Sequence, residues 1–167
     1  DKAPQAIMDG VGMALTAGLP PGFQLVLVGQ EEVVRGELQR IGFAGDSRLE
    51  IVHASQVVGM DESAAAAIRS KRDSSLNVAA EMVKHRKAEA MYSAGNTGAL
   101  VSSAVLRMRT LPGVERPAIA VTMPATTGNY ILLDAGATVE CKPLHLVQFA
   151  VMGEVYSRRL YNKPAPR

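Results

Sequence analysis

The sequence predicts an α/β fold organised around a largely parallel sheet. Segments of strand character alternate with segments of helical period through most of its 167 residues. That alternation is what strand–helix–strand units produce. One segment, FQLVLVG (23–29), is an unbroken apolar run ending in glycine. Such a run suits a strand covered on both faces.

The elements follow in order. APQAIMDGVGMALTAG (3–18) carries Ile7, Val11, Ala14 and Leu15 at helical spacing, with Pro4 in its first turn and Gly18 at its end. LPPGF is a turn, and FQLVLVG is the first strand. EEVVRGELQRI (31–41) is a helix with two acids at the positive end of its dipole. RLEIVHA (48–54) is the second strand. ESAAAAIRSKR (62–72) and SSLNVAAEMVKHRK (74–87) are helices, the latter capped by Ser74 or Ser75. AEAMYSAG (88–95) reads as a third strand and TGALVSSAVLRMR (97–109) as a helix. PAIAVTM (117–123) and YILLDAG (130–136) read as strands joined by the loop PATTGN. KPLHLVQFAVMGEVYSRRL (142–160) is the last helix, with Pro143 in its first turn and Arg158 and Arg159 near its end. No repeat or linker interrupts the chain, so residues 1–167 read as one α/β domain or part of one.

Composition removes several classes of function. Hydrophobic residues are 47% and charged residues 20%, which excludes a disordered chain. A net charge of +2, 4% aromatics and no Trp give no basis for nucleic-acid binding. A single cysteine cannot form an internal disulfide, and a cytoplasmic location is expected. No stretch has the length of a membrane span, and no secretory signal is read at the start. The chain opens on Asp1 and closes on NKPAPR, so both ends read as cut.

Three strands end in glycine-containing turns: VGQ, SAGNTG and DAGATVECKP. In an open α/β sheet, ligands gather at the carboxyl ends of strands. A glycine-rich turn that opens a helix offers backbone N–H groups to an anion. Ser93, Gly95, Asn96, Thr97 and Gly98 are therefore candidate anion ligands. The alternative is that the glycines only permit a tight turn and Thr97 caps the helix. Asp134 ends a strand, Gly136 follows, and Lys142 begins a helix, against the dipole preference. A lysine there could neutralise phosphate, or simply be solvated. Arg69, Lys71 and Arg72 precede the Ser74–Ser75 helix start and form either a second anion pocket or a charged loop. Cys141 adjoins Lys142, with His53 and His145 as conceivable bases, yet nothing in the sequence brings them together. Three scattered histidines give no metal-ligand spacing. The P-loop, Rossmann and nucleophile-elbow signatures are absent.

LVLVGQEE, IVHASQVVGMDE, KRDSSLNVAAEMVK, AEAMYSAGNTGAL, GVERPAIAVTMP and LLDAGATVECKPLHLVQFAVMGEVY occur in that order. Together they resemble the bacterial phosphate acyltransferase (PlsX) family of phospholipid synthesis, over essentially the whole chain. The resemblance implies transfer of a long fatty acyl group from acyl carrier protein to inorganic phosphate, giving an acyl phosphate. It implies a three-layer sheet similar to the isocitrate/isopropylmalate dehydrogenase fold, a homodimer, no organic cofactor, and peripheral association with the inner face of the membrane. On that reading Asn96, Lys142 and Asp134 serve catalysis. Ser93, Gly95, Thr97, Gly98, Gly136, Ser74 and Ser75 bind phosphate or substrate. Arg69, Lys71 and Arg72 meet the acidic carrier, together with Lys84, Arg86 and Lys87.

The chain departs from the family in three ways. Of the usual opening DAMGGDxAP only DKAP matches, Thr138 stands where Asn is common, and family members are longer. The chain is thus expected to be the N-terminal part of a longer protein. Alone it should be poorly soluble or self-associating, and inactive. Two other readings stay open: a non-catalytic metabolite-binding domain, and a dehydrogenase relative sharing the fold.

Overall fold

The computed structural model describes residues 2–166. It divides into two compact units, one ending at Arg109 and the other beginning at Thr110.

The first unit holds α1 (Gln5–Ala17), β1 (Leu25–Gly29), α2 (Glu31–Arg40), β2 (Leu49–His53), α3 (Ala64–Ser70), α4 (Ser75–Lys84) and α5 (Thr97–Arg107). β1 and β2 pair in parallel, from Leu25 opposite Leu49 to Gly29 opposite His53. Every residue of β1 is half-buried, with no alternation, in keeping with cover on both faces. Met8, Val34 and Leu38 form the core beside this sheet, packed by Leu27, Ile41, Phe43, Leu49 and Ile51. The buried face of α1 is turned from the expected stripe. Met8 and Leu15 are buried while Ile7 is exposed, because Met8 is the residue that meets α2. A second core joins Ile68, Leu76 and Ala99, where α3, α4 and α5 meet.

The expected third strand, 88–95, is irregular. Its Ala, Glu, Ser and Gly residues are poor strand formers, and no strand pairs with it among the described residues.

The second unit holds β3 (Val121–Ala125), β4 (Gly128–Leu132) and α6 (Pro143–Tyr161). β3 and β4 are antiparallel, so the sheets here are a parallel pair and an antiparallel pair, not one largely parallel sheet. Both strands run into the segment expected to be a loop. Ala125 pairs with Gly128, leaving only Thr126 and Thr127 to turn the chain. A two-residue link can close a hairpin but cannot make the crossover that parallel strands need. Gly128 takes φ +104, a conformation that glycine adopts without penalty. On α6, Phe149, His145 and Ser157 are buried, and Arg158 and Arg159 occupy the last turn, as expected.

One loop contact gives a pH prediction. Asp46 accepts from the Arg48 backbone N–H at 2.9 Å and from its guanidinium at 2.6 and 3.0 Å. Arg48 also donates to the Leu15 carbonyl at 3.2 Å, tying the end of α1 to the start of β2. The Arg48 side chain, then its backbone N–H, hold the Asp46 carboxyl down at about 2, against an ordinary 3.8. A depressed carboxyl stabilises the fold above its unfolded pKa and loses that contribution as pH falls through the folded one. Asp46→Asn should therefore be less stable than the wild type above pH 3.8, with the gap closing towards pH 2. Urea midpoints of both proteins across that window measure it.

Candidate functional site

In the first unit the site is built at the start of α5. Asn96 is its N-cap, not Thr97, which is the first helical residue. Asn96 Oδ1 accepts the Ala99 N–H at 3.0 Å. Its Nδ2 faces the carbonyls of Gly59, Met60 and Glu62 at 3.2, 3.3 and 3.2 Å. Asn96 thus clamps the loop after β2 onto the helix start, and its own donors are taken. The amides of Thr97 and Gly98 have no hydrogen-bond acceptor among the described residues. They sit at the positive end of the helix dipole, where an anion is favoured. Gly98 is small for a packing reason: a Cβ there would lie 3.0 Å from the Ala64 Cβ of α3. The Gly95 N–H donates to Ser93 Oγ at 3.1 Å, so this pair shapes the turn itself.

The same loop is held from α3 and α4. Lys71 Nζ donates to the Val57 carbonyl at 2.7 Å and to Glu62 Oε1. Glu62 Oε1 also accepts the Gly59 N–H at 2.7 Å. Lys71, and secondarily that N–H, keep the Glu62 carboxyl below its ordinary range. Lys71 is therefore an internal strut, whereas Arg69 and Arg72 are exposed. The Ser55 hydroxyl and backbone N–H do the same for Asp73, the N–H at 2.8 Å. Ser74 caps α4 by position, but its hydroxyl is fully buried and has no hydrogen-bond partner among the described residues. Ser75 is half-buried, and its N–H donates to the Gln56 carbonyl at 3.2 Å.

Beneath these loops lies a polar knot that sequence reasoning missed. Asn77 is 1% exposed and donates to the carbonyls of Ile68 and Lys71, both at 2.9 Å. Its Oδ1 accepts from Arg107 Nε at 3.0 Å and from Ser103 Oγ at 3.1 Å. The one sequence signal was an Asn inside an otherwise apolar helical face.

In the second unit Asp134 ties the segment before β3 to the turn after β4. Oδ1 accepts the Ile119 N–H and Oδ2 the Thr138 N–H, each at 2.7 Å. Gly136 lies inside the turn so formed, with φ +100. Lys142 is the N-cap of α6 and is exposed, as is Cys141. His145 has both ring nitrogens engaged, one with the Lys142 N–H and one with Glu115, so neither is left to activate the thiol. His53 is exposed in the first unit, where its Nδ1 accepts the Glu31 N–H at 3.3 Å. Among the described residues no group of three His, Cys, Asp or Glu could hold a metal ion. Among the described residues no helix is long and apolar enough to cross a membrane.

The fold and these turns define an α/β protein with backbone donors presented at a helix start. The family described as Fatty acid synthesis protein matches residues 1–167, and the chain belongs to it. It is 49% identical over 169 residues to a phosphate acyltransferase of Myxococcus xanthus, with all of this chain and 47% of that protein covered. It is 47% identical to one of Anaeromyxobacter sp. (strain Fw109-5), covering 45% of it, and 44% identical to one of Geobacter sulfurreducens, covering 47%. In both, the whole of this chain is aligned. The chain spans about half the length of the curated relatives it matches.

Proposed function

We propose that this chain carries the N-terminal part of an acyl-[acyl carrier protein]:phosphate acyltransferase that makes acyl phosphate for phospholipid synthesis. The observation that carries this is the match along the whole chain to relatives named phosphate acyltransferase. In the reaction, a phosphate oxygen attacks the thioester carbonyl of the carrier-bound acyl group. The tetrahedral intermediate collapses with cleavage of the C–S bond, and the carrier thiol takes up a proton. Phosphate is the nucleophile, so no covalent enzyme intermediate is needed.

Catalysis then consists of positioning phosphate and stabilising the developing oxyanion. The free amides of Thr97 and Gly98 supply donors, with Ser93 and Gly95 shaping the turn around them. Asn96 serves by fixing those amides. Lys142 offsets phosphate charge, and Asp134 orders the Gly136 turn. Ser74 and Ser75 contribute through the start of α4. The complete protein adopts a three-layer sheet similar to the isocitrate/isopropylmalate dehydrogenase fold. It acts as a homodimer in the cytoplasm, meeting the membrane peripherally. The test is to supply a full-length family member carrying these residues with palmitoyl-loaded carrier protein, with and without phosphate. Thiol release that requires phosphate, with acyl phosphate formed, supports the reading. Thiol release without phosphate, or none at all, overturns it.

Acyl carrier protein is acidic as a class, and the exposed Arg69 and Arg72, with Lys84, Arg86 and Lys87, are the cations we expect to receive it. Lys71 is committed to Glu62. Reversing both arginines to glutamate should raise KM for the carrier about tenfold and steepen its loss in salt, leaving KM for phosphate unchanged. Initial rates with each substrate varied in turn measure this. An equal rise for both substrates would remove the docking role.

A further inference from the structure

We propose that His145 is a positioning residue for Lys142, acting as a neutral imidazole protonated at Nε2 and held so by Glu115. This rests on the reading that Lys142 serves phosphate. His145 is 4% exposed. Its Nδ1 lies 3.2 Å from the Lys142 backbone nitrogen, which can only donate. Nδ1 must therefore present its lone pair, and the ring proton belongs to Nε2. That atom lies 3.0 Å from Glu115 Oε2, a carboxylate that accepts. The His145 N–H returns to the Lys142 carbonyl at 2.9 Å, so the peptide groups on both sides of Lys142 are held by one residue.

Glu115 is itself fixed. Its N–H donates to Gln148 Oε1 at 3.0 Å, and Gln148 Nε2 donates to the Gly113 carbonyl at 2.7 Å. The loop before β3 is thereby fastened to the first turns of α6, with the ring of Phe149 6.3 Å from that of His145. The titratable side chain in contact with the imidazole is Glu115 from that loop, and Lys142 meets the ring through its backbone N–H. A second proton on His145 would set an N–H at Nδ1 against the N–H of Lys142. Two donors would then face each other, and the turn carrying Lys142 would loosen. A glutamine at this third helical position can accept the N-cap N–H as in a capping box, but it does not titrate.

Two measurements test this. In a full-length family member carrying these residues and labelled with ¹⁵N, a long-range histidine spectrum should show the Nε2–H tautomer at His145. Hydrogen exchange at the Lys142 amide should quicken in His145→Ala and recover in His145→Gln. In a full-length family member carrying these residues, His145→Ala should lower kcat roughly tenfold to a hundredfold, the range for losing a partner that orients a site residue. KM for the carrier should not move. His145→Gln should restore most of kcat. An Nδ1–H tautomer, or His145→Gln as impaired as His145→Ala in both exchange and kcat, overturns the proposal. If no variant releases thiol in response to phosphate, the acyltransferase reading fails instead, and the spectrum and exchange still decide what His145 does to the turn.

Discussion

Asn96→Ala is expected to lose both stability and turnover, whereas Asn96→Asp should separate the two causes. Alanine removes an N-cap bond, which costs about 1 kcal/mol in typical helices. It also strips the Gly59, Met60 and Glu62 carbonyls of their shared donor. Together these should come to about 2 kcal/mol and lower Tm by roughly 10 °C. Turnover of the full-length enzyme should fall about tenfold to a thousandfold, the scale for losing an oxyanion donor. Here the loss would arise because the Thr97 and Gly98 amides are no longer fixed. Aspartate keeps the acceptor for the Ala99 N–H but turns a carboxylate towards three carbonyls. It should therefore cap α5 and still release the loop. Thermal melts and phosphate-dependent thiol release are the two readings. Asn96→Asp equal to the wild type in both would show that the clamp on residues 59–62 is not what orders the site.

The sequence made the helices legible because their apolar spacing and caps are local properties. α2, α4, α5 and α6 lie within a few residues of where periodicity puts them. β1 was legible for the same reason, as an apolar run ended by Gly29. Residues 88–95 were misread, and the two strands of the second unit were found without their bounds or orientation, because pairing is not local. Nothing in PAIAVTM tells whether its partner runs parallel. The PATTGN segment looked like a loop, although only two of its residues turn the chain. The SAGNTG turn was legible as a site candidate, but the division of labour within it was not. Gly98 reads as room for a ligand, while the structure fills that room with Ala64 of α3, more than thirty positions earlier in the chain. Lys71 reads as a free cation until Glu62 is seen beside it. Contacts of this kind depend on which elements meet, and neither residue type nor spacing encodes that.

The largest effect on stability is expected at Asn77, which no spacing rule singled out. Asn77→Leu keeps the number and branching of the side-chain heavy atoms with bulkier ends, so it opens no cavity. It would leave the Ile68 carbonyl without a donor and the Lys71 carbonyl with only the Ser74 N–H at 3.1 Å, and it would take this acceptor from Arg107 Nε and the Ser103 hydroxyl. Each buried polar group left unpaired costs about 1–3 kcal/mol. Some relief comes from Ser103, which also lies 3.0 Å from the Leu76 carbonyl, and from Arg107, which approaches Glu81 at 3.6 Å. The net loss should then be about 3 kcal/mol, a large fraction of the stability of a small domain. Ser103→Ala removes one bond of the knot and should cost about 1 kcal/mol. The two changes together should cost less than their sum, because both break the Asn77–Ser103 contact; a coupling of about 1 kcal/mol is expected. Urea midpoints of the two single variants and the double variant complete the cycle. Asn77→Leu within 1 kcal/mol of the wild type would mean that apolar contacts around Ile68, Leu76 and Ala99 hold α3, α4 and α5 together unaided, and that the polar knot contributes little.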